Sequence, residues 1–485
     1  MKYLFLPLFL LIFFNVGERE TGYAQVSDTI NQIISGSSAT GALWVVQVRD
    51  QEGNLIENLN GEKLIRPASN LKLITSGALL DRLDPYFTFE TRLYGRGSAD
   101  QHRWNGDLII HASGDPSIDG FFYEGNSLFL FEKWADMLLE SGIREISGDL
   151  IGYDGLFDAI PYPRGWEWDD LSYYYAPEIS ALSFNSNVVN LEVVADGPVG
   201  SPPRIQWSPF NTPYVDFINE QVITPRGTRF SESYSRVLGT NVIFLRSTLP
   251  QGYYESEPLT VSNPSYYFLD TMFRYLELRG IRVHGQIYTN SDYTSLRRAT
   301  DWQLLDTHIS EPLHKLLTRL NMESDNFYSE MLVKKLGNRV FGSQGTTDLG
   351  LKVIREYMHE QKFDTLQVFL RDGSGMAAAN LIPAGDLNRY LFNVQEEDYF
   401  KYLYNSLAVA GVNGTLSHRF SASRVQGNFF GKTGFISGVR ALSGYLTADS
   451  GQQLTITIAT NNYTSRTAHI DYIHQKILEF LYENY

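Results

Sequence analysis

Residues 66–77 read RPASNLKLITSG and place Ser69 and Lys72 three positions apart at the start of an apolar-periodic run. The periodicity predicts a helix from Ser69 to about Leu83. Serine is a preferred residue at a helix N-terminus, so the stretch is compatible with a capping serine and a solvated lysine. It is also compatible with a nucleophile and its base, because residues i and i+3 lie on one face of a helix. The stretch by itself leaves both interpretations open.

Two further stretches allow the same two interpretations. SDN at 324–326 precedes a helix predicted over 327–336, and KTG at 432–434 lies in the first of three strands predicted near the C-terminus. Taken singly, the first is a helix cap and the second a solvated lysine at a sheet edge. Together, S-x-x-K, S-D-N and K-T-G in this order are the signature of class A β-lactamases and penicillin-binding proteins. The three motifs therefore predict an active-serine enzyme.

Acyl transfer assigns a predicted role to each of these residues. Ser69 is the nucleophile, and Lys72 is its base once burial and a neighbouring cation lower the pKa of the amine. Lys432 is the candidate cation. Ser324 is expected to relay the proton to the leaving amine. Asn326 is expected to accept a hydrogen bond from Lys72 and to donate one to the substrate carbonyl.

The KTG strand is predicted to hold the substrate. An edge strand over 432–435 can pair with an extended peptide. The backbone N–H groups of Ser69 and Phe435 are expected to form the oxyanion hole. Thr433 and Gly434 lie in the same binding strand, and the family resemblance given below implies that Lys432 and Thr433 bind the terminal carboxylate of the substrate. The sequence predicts no cofactor and no metal, since it has neither an H-E-x-x-H nor a phosphate-loop motif.

The spacing of the motifs selects one family. Ser69 and Ser324 are 255 positions apart, which a class A β-lactamase does not accommodate. The chain instead resembles the D-alanyl-D-alanine carboxypeptidase/endopeptidase family of the penicillin-binding protein 4 type, which carries extra domains in that gap. Further stretches that look like family landmarks lie at 108–118, 147–158, 174–187, 371–376, 410–416 and 438–446.

The resemblance implies hydrolysis of the terminal D-Ala-D-Ala bond, or of the cross-link to diaminopimelate, in peptidoglycan peptides, and acylation of the same serine by penicillins. It also implies a pocket for the substrate side chain, in which Asp170 binds the diaminopimelate amine and Tyr175 and Ser437 line the walls. Two positions depart from the family pattern. Ala378 stands where an arginine often grips the side-chain carboxylate, and Phe435 stands where a hydroxyl residue is frequent.

The resemblance and the order of strand and helix patterns predict an α+β fold: a penicillin-binding, β-lactamase-like transpeptidase domain whose antiparallel sheet is flanked by helices. A hairpin is expected around Gly53. Residues 25–92 and 300–485 are predicted to form this domain, and 93–299 a mainly β insertion of two small domains. A hydrophobic fraction of 43% with 20% charged residues indicates a globular chain.

The first residues predict export. Lys2 precedes an apolar run from Tyr3 to about Val16, which is typical of a signal peptide over residues 1–24, although an uncleaved anchor stays open. The expected location is the periplasm or cell envelope. The chain has no cysteine, which excludes thiolate chemistry and disulfides, and a net charge of −15, which gives no support for a nucleic-acid partner. Peripheral membrane contact and the oligomeric state stay open. The alternatives to a peptidase are a β-lactamase and a non-catalytic cell-wall binding protein.

Overall fold

The computed structural model describes residues 20–293 and 301–485, excluding the side chains of residues 20–27. Its helices are α1 Glu20–Ser35, α2 Leu71–Leu83, α3 Phe129–Glu140, α4 Pro264–Leu278, α5 Leu313–Met322, α6 Asn326–Phe341, α7 Thr347–Glu360, α8 Ala384–Asn393, α9 Phe400–Asn405 and α10 Thr467–Asn484. The predicted signal segment lies outside the described residues up to position 19, and α1 begins at Glu20.

The strands fall into one large sheet, a second large sheet and several small ones. They are β1 Leu43–Arg49, β2 Leu55–Leu59, β3 Leu64–Ile65, β4 Glu90–Asp100, β5 Arg103–His111, β6 Glu145–Ile146, β7 Leu150–Tyr153, β8 Val188–Val194, β9 Arg204–Ser208, β10 Asp216–Asn219, β11 Val222–Thr224, β12 Tyr234–Arg236, β13 Val242–Leu245, β14 Thr248–Pro250, β15 Tyr254–Thr260, β16 Arg282–Val283, β17 Ile287–Asn290, β18 Gln303–Ile309, β19 Ile382–Pro383, β20 Ala408–Val409, β21 Phe429–Ile436, β22 Val439–Thr447 and β23 Gln453–Asn461.

The six-stranded sheet is built from strands near the beginning of the chain and strands near its end. Its order is β2-β1-β23-β22-β21-β20, and all of its pairs are antiparallel. Alternation along β1 sends Trp44, Val46 and Val48 to one face and Val45 to the other. Helices α1 and α10 cover the first face, and α2 and α8 lie on the second. The predicted α+β class with an antiparallel sheet between helices is confirmed.

Helix α2 is the central element of this domain. Eleven of its thirteen residues are buried, including Lys72 and Thr75. A helix buried on nearly all sides must lie between other elements, and α2 contacts α5, α6, α7 and α9. Lys72 is therefore held inside the protein by the packing of its own helix.

The second large sheet comes from the middle of the chain. Its path is β16-β6-β5-β4-β18, with β7 beside β5 and β17 beside β7. Helices α3 and α4 pack against each other, and their apolar side chains share one core with this sheet. The remaining middle strands form small sheets β15-β8-β9, β10-β13-β12 and β11-β14. The division into 25–92 with 300–485 and 93–299 stays a prediction.

Most of the secondary structure expected from the sequence is present. The hairpin around Gly53 is β1–β2, and the three C-terminal strands are β21–β23. The residue pattern over 282–289 predicts one strand, whereas the structure has two short strands there, β16 and β17, which pair with different partners. Helices α1, α3, α8 and α9 were not predicted. Over residues 20–293 and 301–485, no helix has the length and apolar character needed to span a membrane.

Candidate active site

Ser69 lies in a tight turn directly before α2. Residues Ala68–Asn70 form one turn of 3-10 helix, and Ala68 takes the left-handed φ of 45°. Ser69 does not cap the helix: the N-cap positions are Pro67 and Asn70, and neither makes a side-chain capping bond. The Asn70 side chain donates to the carbonyl of Lys432 at 2.9 Å and so ties this turn to β21. Ser69 itself is only partly buried, as a nucleophile that meets a substrate must be.

Lys72 directs its amine at three oxygen atoms. Its Nζ lies 3.0 Å from Ser69 Oγ, 2.6 Å from Asn326 Oδ1 and 2.7 Å from the carbonyl of Ser374. Full burial lowers the pKa of Lys72 to about 8. In its neutral form the amine can keep donating to Asn326 and Ser374 while its lone pair faces the Ser69 hydroxyl. This geometry suits a base.

The cause of the lowered Lys72 pKa differs in part from the expectation. Burial is the main cause, and the charges that act on Lys72 are the carboxylates Asp372, Glu330 and Asp325, which raise its pKa. Lys432 is not among the causes for Lys72. The reverse influence is present, because burial and then the charge of Lys72 lower the pKa of Lys432 well below its ordinary value.

Asn326 is the first residue of α6. Asp325 caps this helix by accepting from the backbone N–H of Tyr328 at 3.0 Å, and Ser324 takes a left-handed φ of 61°. The Asn326 side chain accepts from Lys72 and donates to the carbonyl of Tyr175 at 2.8 Å. The SDN segment therefore does serve as a helix cap, and it also joins Lys72 to a segment of the middle region.

Lys432 is fully buried, so the solvated edge lysine is excluded. Its Nζ donates to the carbonyl of Thr433 at 3.0 Å, and Thr433 Oγ1 donates to Thr415 Oγ1 at 2.8 Å. A Cβ on Gly434 would lie 2.9 Å from the carbonyl oxygen of Pro67, so glycine lets β21 approach the Ser69 turn. Phe435 is 55% exposed.

The outer edge of β21 is open beside this site. Strand β20 pairs with β21 only opposite Phe430 and Gly431. Among the strands that the structure describes, none pairs with that edge from Lys432 to Ile436. Because no described strand occupies this edge, an extended peptide can pair with it.

Sequence reasoning missed the support on the other side of Lys72. The loop RDGSGM supplies the Ser374 carbonyl, and buried Glu330 holds this loop by accepting from the backbone N–H groups of Gly373 at 3.0 Å and Ser374 at 2.8 Å. Burial raises the pKa of Glu330 to about 8. The sequence offers two signals for this support. RDGSGM is one of the stretches that look like family landmarks, and Glu330 lies one helical turn after Asn326.

Four residues are considered for the predicted side-chain pocket, Asp170, Tyr175, Ser437 and Ala378, and the contacts of the described residues join two of them, Asp170 and Tyr175. Tyr175 Oη donates to Asp170 Oδ1 at 2.9 Å, and burial raises the pKa of this half-buried carboxyl. Because the Tyr175 carbonyl binds Asn326, these two residues lie beside the SDN segment. Ser437 lies in the exposed turn between β21 and β22, and Ala378 is partly buried.

Trp166 is a further residue that the sequence did not single out. Its Nε1 donates to Asp372 Oδ2 at 3.0 Å, across 206 positions of chain. Asp372 also accepts from the backbone N–H groups of Gly375 at 2.8 Å and Ala377 at 2.6 Å. The loop that carries Asp170 is thereby fastened to the loop that holds Lys72.

Comparison with known proteins assigns the chain to a family. A sequence model of the D-Ala-D-Ala carboxypeptidase 3 (S13) family matches residues 25–481. The chain belongs to this family.

Relatives and solved structures agree with this assignment. The chain is 28% identical over 459 residues to a D-alanyl-D-alanine carboxypeptidase of Actinomadura sp. strain R39, covering 91% of this chain and 81% of the relative. It is 25% identical over 444 residues to the D-alanyl-D-alanine carboxypeptidase DacB of Haemophilus influenzae, covering 91% and 88%. The crystal structure of penicillin-binding protein 4 from H. influenzae superposes with a TM-score of 0.80 at 23% identity, covering 94% of this chain and 99% of that one.

The predicted fold and enzyme class are therefore confirmed. The chain has a penicillin-binding fold and is a serine-type D-Ala-D-Ala carboxypeptidase, a hydrolase.

Proposed function

We propose that this carboxypeptidase cleaves D-Ala-D-X bonds of peptidoglycan stem peptides through an acyl-enzyme on Ser69, with Lys72 as the base. The observation that carries the proposal is the fully buried Lys72 amine, whose pKa burial lowers to about 8, at 3.0 Å from Ser69 Oγ. A serine hydroxyl is a weak nucleophile until an adjacent base takes its proton.

Acylation follows from the contacts at the site. Neutral Lys72 takes the Ser69 proton as Oγ attacks the carbonyl carbon, and the bonds to Asn326 and Ser374 hold the resulting ammonium. The N–H groups of Ser69 and Phe435 stabilise the oxyanion. The C–N bond then breaks, the leaving amine receives a proton through Ser324, and the D-amino acid departs. Water attacks the ester in the second half of the reaction and regenerates Ser69.

The open edge of β21 orients the substrate. An extended peptide that pairs with Lys432–Ile436 runs past the turn that carries Ser69, because Asn70 and Gly434 fix that turn against the strand. The Thr433 hydroxyl and the Lys432 amine lie on this strand and bind the terminal carboxylate. A carboxylate close to Lys432 favours its charged form and offsets the effect of burial.

The side-chain pocket determines the substrate class within this reaction. Asp170 binds an amine at the end of the substrate side chain, as in diaminopimelate. Tyr175 orients the Asp170 carboxylate through the 2.9 Å hydrogen bond from Tyr175 Oη to Asp170 Oδ1. Alanine at position 378 has no donor for a carboxylate on that side chain, so its recognition depends on other groups. Both the terminal bond and the cross-link present the same D-Ala carbonyl to Ser69.

The cellular setting follows from the substrate. Peptidoglycan lies outside the cytoplasmic membrane, and residues 1–24 fit a signal peptide that exports the chain to the cell envelope. β-Lactams acylate the same serine in this proposal. The structure of H. influenzae penicillin-binding protein 4 in complex with a β-lactam, at a TM-score of 0.76, supports binding of these compounds by the same fold.

Release of D-Ala tests the proposal. We expect the purified protein to release D-Ala from a diaminopimelate-containing pentapeptide and Ser69→Ala to release none. Decay of the penicillin adduct distinguishes the β-lactamase alternative: a lifetime of minutes or longer supports a peptidase, and rapid turnover supports a β-lactamase. Absence of both D-Ala release and penicillin labelling in the wild-type protein would support the non-catalytic alternative.

A further inference from the structure

A second cavity lies directly behind the SDN segment. The junction cavity, as we name it, has a volume of about 510 Å³ and is lined by residues of the middle region and of α5 and α6. Tyr174 and Asp325 belong to its lining, and each directly precedes one of the two bonded residues Tyr175 and Asn326. The junction cavity and the catalytic cleft therefore share a wall.

Aromatic rings and small polar side chains line the junction cavity together. Tyr174 is 54% exposed and Phe121 is 48% exposed, although both are large rings. Asn185, Ser186 and Asn190 contribute amides and a hydroxyl to the same lining. Exposed rings beside neutral hydrogen-bonding groups suit a ligand with an apolar face and a polar rim.

The floor of the junction cavity is rigid. Arg319 donates to Asp119 and to Asp325, each at 3.0 Å, and its guanidinium lies 4.7 Å from the ring centres of both Phe121 and Tyr328. Asp119 is almost completely buried. Two carboxylates and one guanidinium leave this floor with a formal charge of −1, and their hydrogen bonds place the Arg319 guanidinium against the Phe121 ring.

One wall has an unusual backbone. Asn185, Ser186 and Asn187 have consecutive left-handed φ values of 50°, 51° and 58°. Residues other than glycine adopt this conformation at a cost, which the surrounding contacts must offset. Here Asn185 accepts from Ser127 at 3.0 Å and Ser186 donates to Asp119 at 3.2 Å. The strained segment is thus fixed at the surface of the cavity.

We infer that the junction cavity binds an N-acetylated sugar of the glycan strand that carries the stem peptide. A pyranose ring has an apolar face that packs on Phe121 or Tyr174, and its hydroxyl and acetamido groups match the amides and hydroxyl of the lining. An extended peptide of four residues spans roughly 14 Å, so a sugar attached to a stem peptide at Ser69 reaches a cavity that shares a wall with the cleft. This inference rests on the proposed function.

The test compares two substrates that differ only in the sugars. One is a pentapeptide, and the other is the same pentapeptide on its disaccharide. We expect kcat/KM of the wild-type protein to be at least tenfold higher for the disaccharide substrate, through a lower KM. Phe121→Ala should reduce this preference at least fivefold, and Phe121→Trp should retain it, because it keeps an aromatic face.

Two further variants complete the design. Asn190→Ala removes an amide from the lining without removing a large side chain, and it should also reduce the preference. Tyr472→Ala removes a ring that is 53% exposed on α10, outside the lining, and should leave the preference at the wild-type value.

The outcomes distinguish this inference from the proposed function. Equal kcat/KM for the two substrates in the wild-type protein, with D-Ala released from both, would overturn the sugar site alone. Equal proportional losses of kcat/KM on both substrates in the Phe121→Ala and Asn190→Ala variants would also overturn the sugar site alone. Release from neither substrate would overturn the proposed function, and this inference with it.

Discussion

On one wall of the cleft the Lys72 side chain is fully buried. On the opposite wall, which loops form, Asp170 is half-buried. Lys72 has three oxygen partners within 3.0 Å, from three separate stretches of chain. Among the described residues, one side-chain hydrogen bond holds the Asp170 carboxyl, and it comes from Tyr175 on the same loop. The first wall fixes a reaction that tolerates little displacement. The second leaves room for substrate side chains to differ, so the two should respond differently to substitution.

The largest effect is expected on the buried wall. Lys72→Met removes the base and should lower the acylation rate constant on the order of 10²–10⁴-fold, the usual contribution of a positioned base. Stopped-flow measurement of penicillin acylation checks this. Lys335→Met is the matched control, since burial also lowers the pKa of Lys335 to about 8 but its amine binds the carbonyl of Ser113. An equal loss in both variants would mean that Lys72 acts only through stability.

Asn326→Asp should act more moderately and in a diagnostic way. The new carboxylate lies where Oδ1 now accepts from Lys72 at 2.6 Å, and an adjacent negative charge raises the pKa of an amine by about 1–3 units. We expect the pH range over which kcat/KM rises to move to higher pH by at least one unit in Asn326→Asp relative to the wild-type protein. A range that stays in place would show that Lys72 does not control it.

The wild-type pH profile is the next test. Burial lowers the pKa of Lys72 to about 8, so the neutral, basic form increases as pH rises from 6 to 9. We expect kcat/KM to rise over this range, to be half of its limiting value near pH 8 and to level off above about pH 9. Glu330 also has a pKa of about 8, so the profile of Glu330→Gln is needed beside it. A flat or falling profile in both proteins would contradict a base at Lys72.

The smallest effect is expected in the side-chain pocket. Asp170→Ala should lower kcat/KM about tenfold for a peptide with a diaminopimelate amine, since a hydrogen bond to a charged group at this half-buried position is worth about 1.5 kcal/mol. A peptide without that amine should lose less than twofold. Assays of D-Ala release on the two peptides measure the difference. Equal losses would assign Asp170 a structural role.

The sequence predicted the residues around Lys72 better than those around Asp170. Ser69 and Lys72 are one helical turn apart, so local geometry alone places them together. The SDN and KTG motifs were assigned to the same site because the three motifs occur in the order typical of active-serine enzymes. The Ser374 carbonyl could not be predicted, because it reaches Lys72 across 302 positions and any residue type has a carbonyl. Asp170 was assigned through family resemblance, and its bond to Tyr175 needed the structure.

The fold divides in a similar way. The three C-terminal strands have clear periodicity and were predicted. Helix α8 has only ten residues, and a helix this short depends on packing for its stability, which its contacts with β1 and β23 supply. Helix α3 begins in FLFEKW, within an aromatic-rich region that otherwise predicts strands. Tertiary contacts, which a single sequence does not show, determine both helices.

The most direct test of the account is to locate the penicillin adduct. The protein is treated with penicillin and digested, and the modified peptide is sequenced by mass spectrometry. We predict a single penicilloyl group on Ser69, formed in the wild-type protein and absent from Ser69→Ala. An adduct on any other residue, or covalent labelling that persists in Ser69→Ala, would contradict the assignment of Ser69 as the nucleophile.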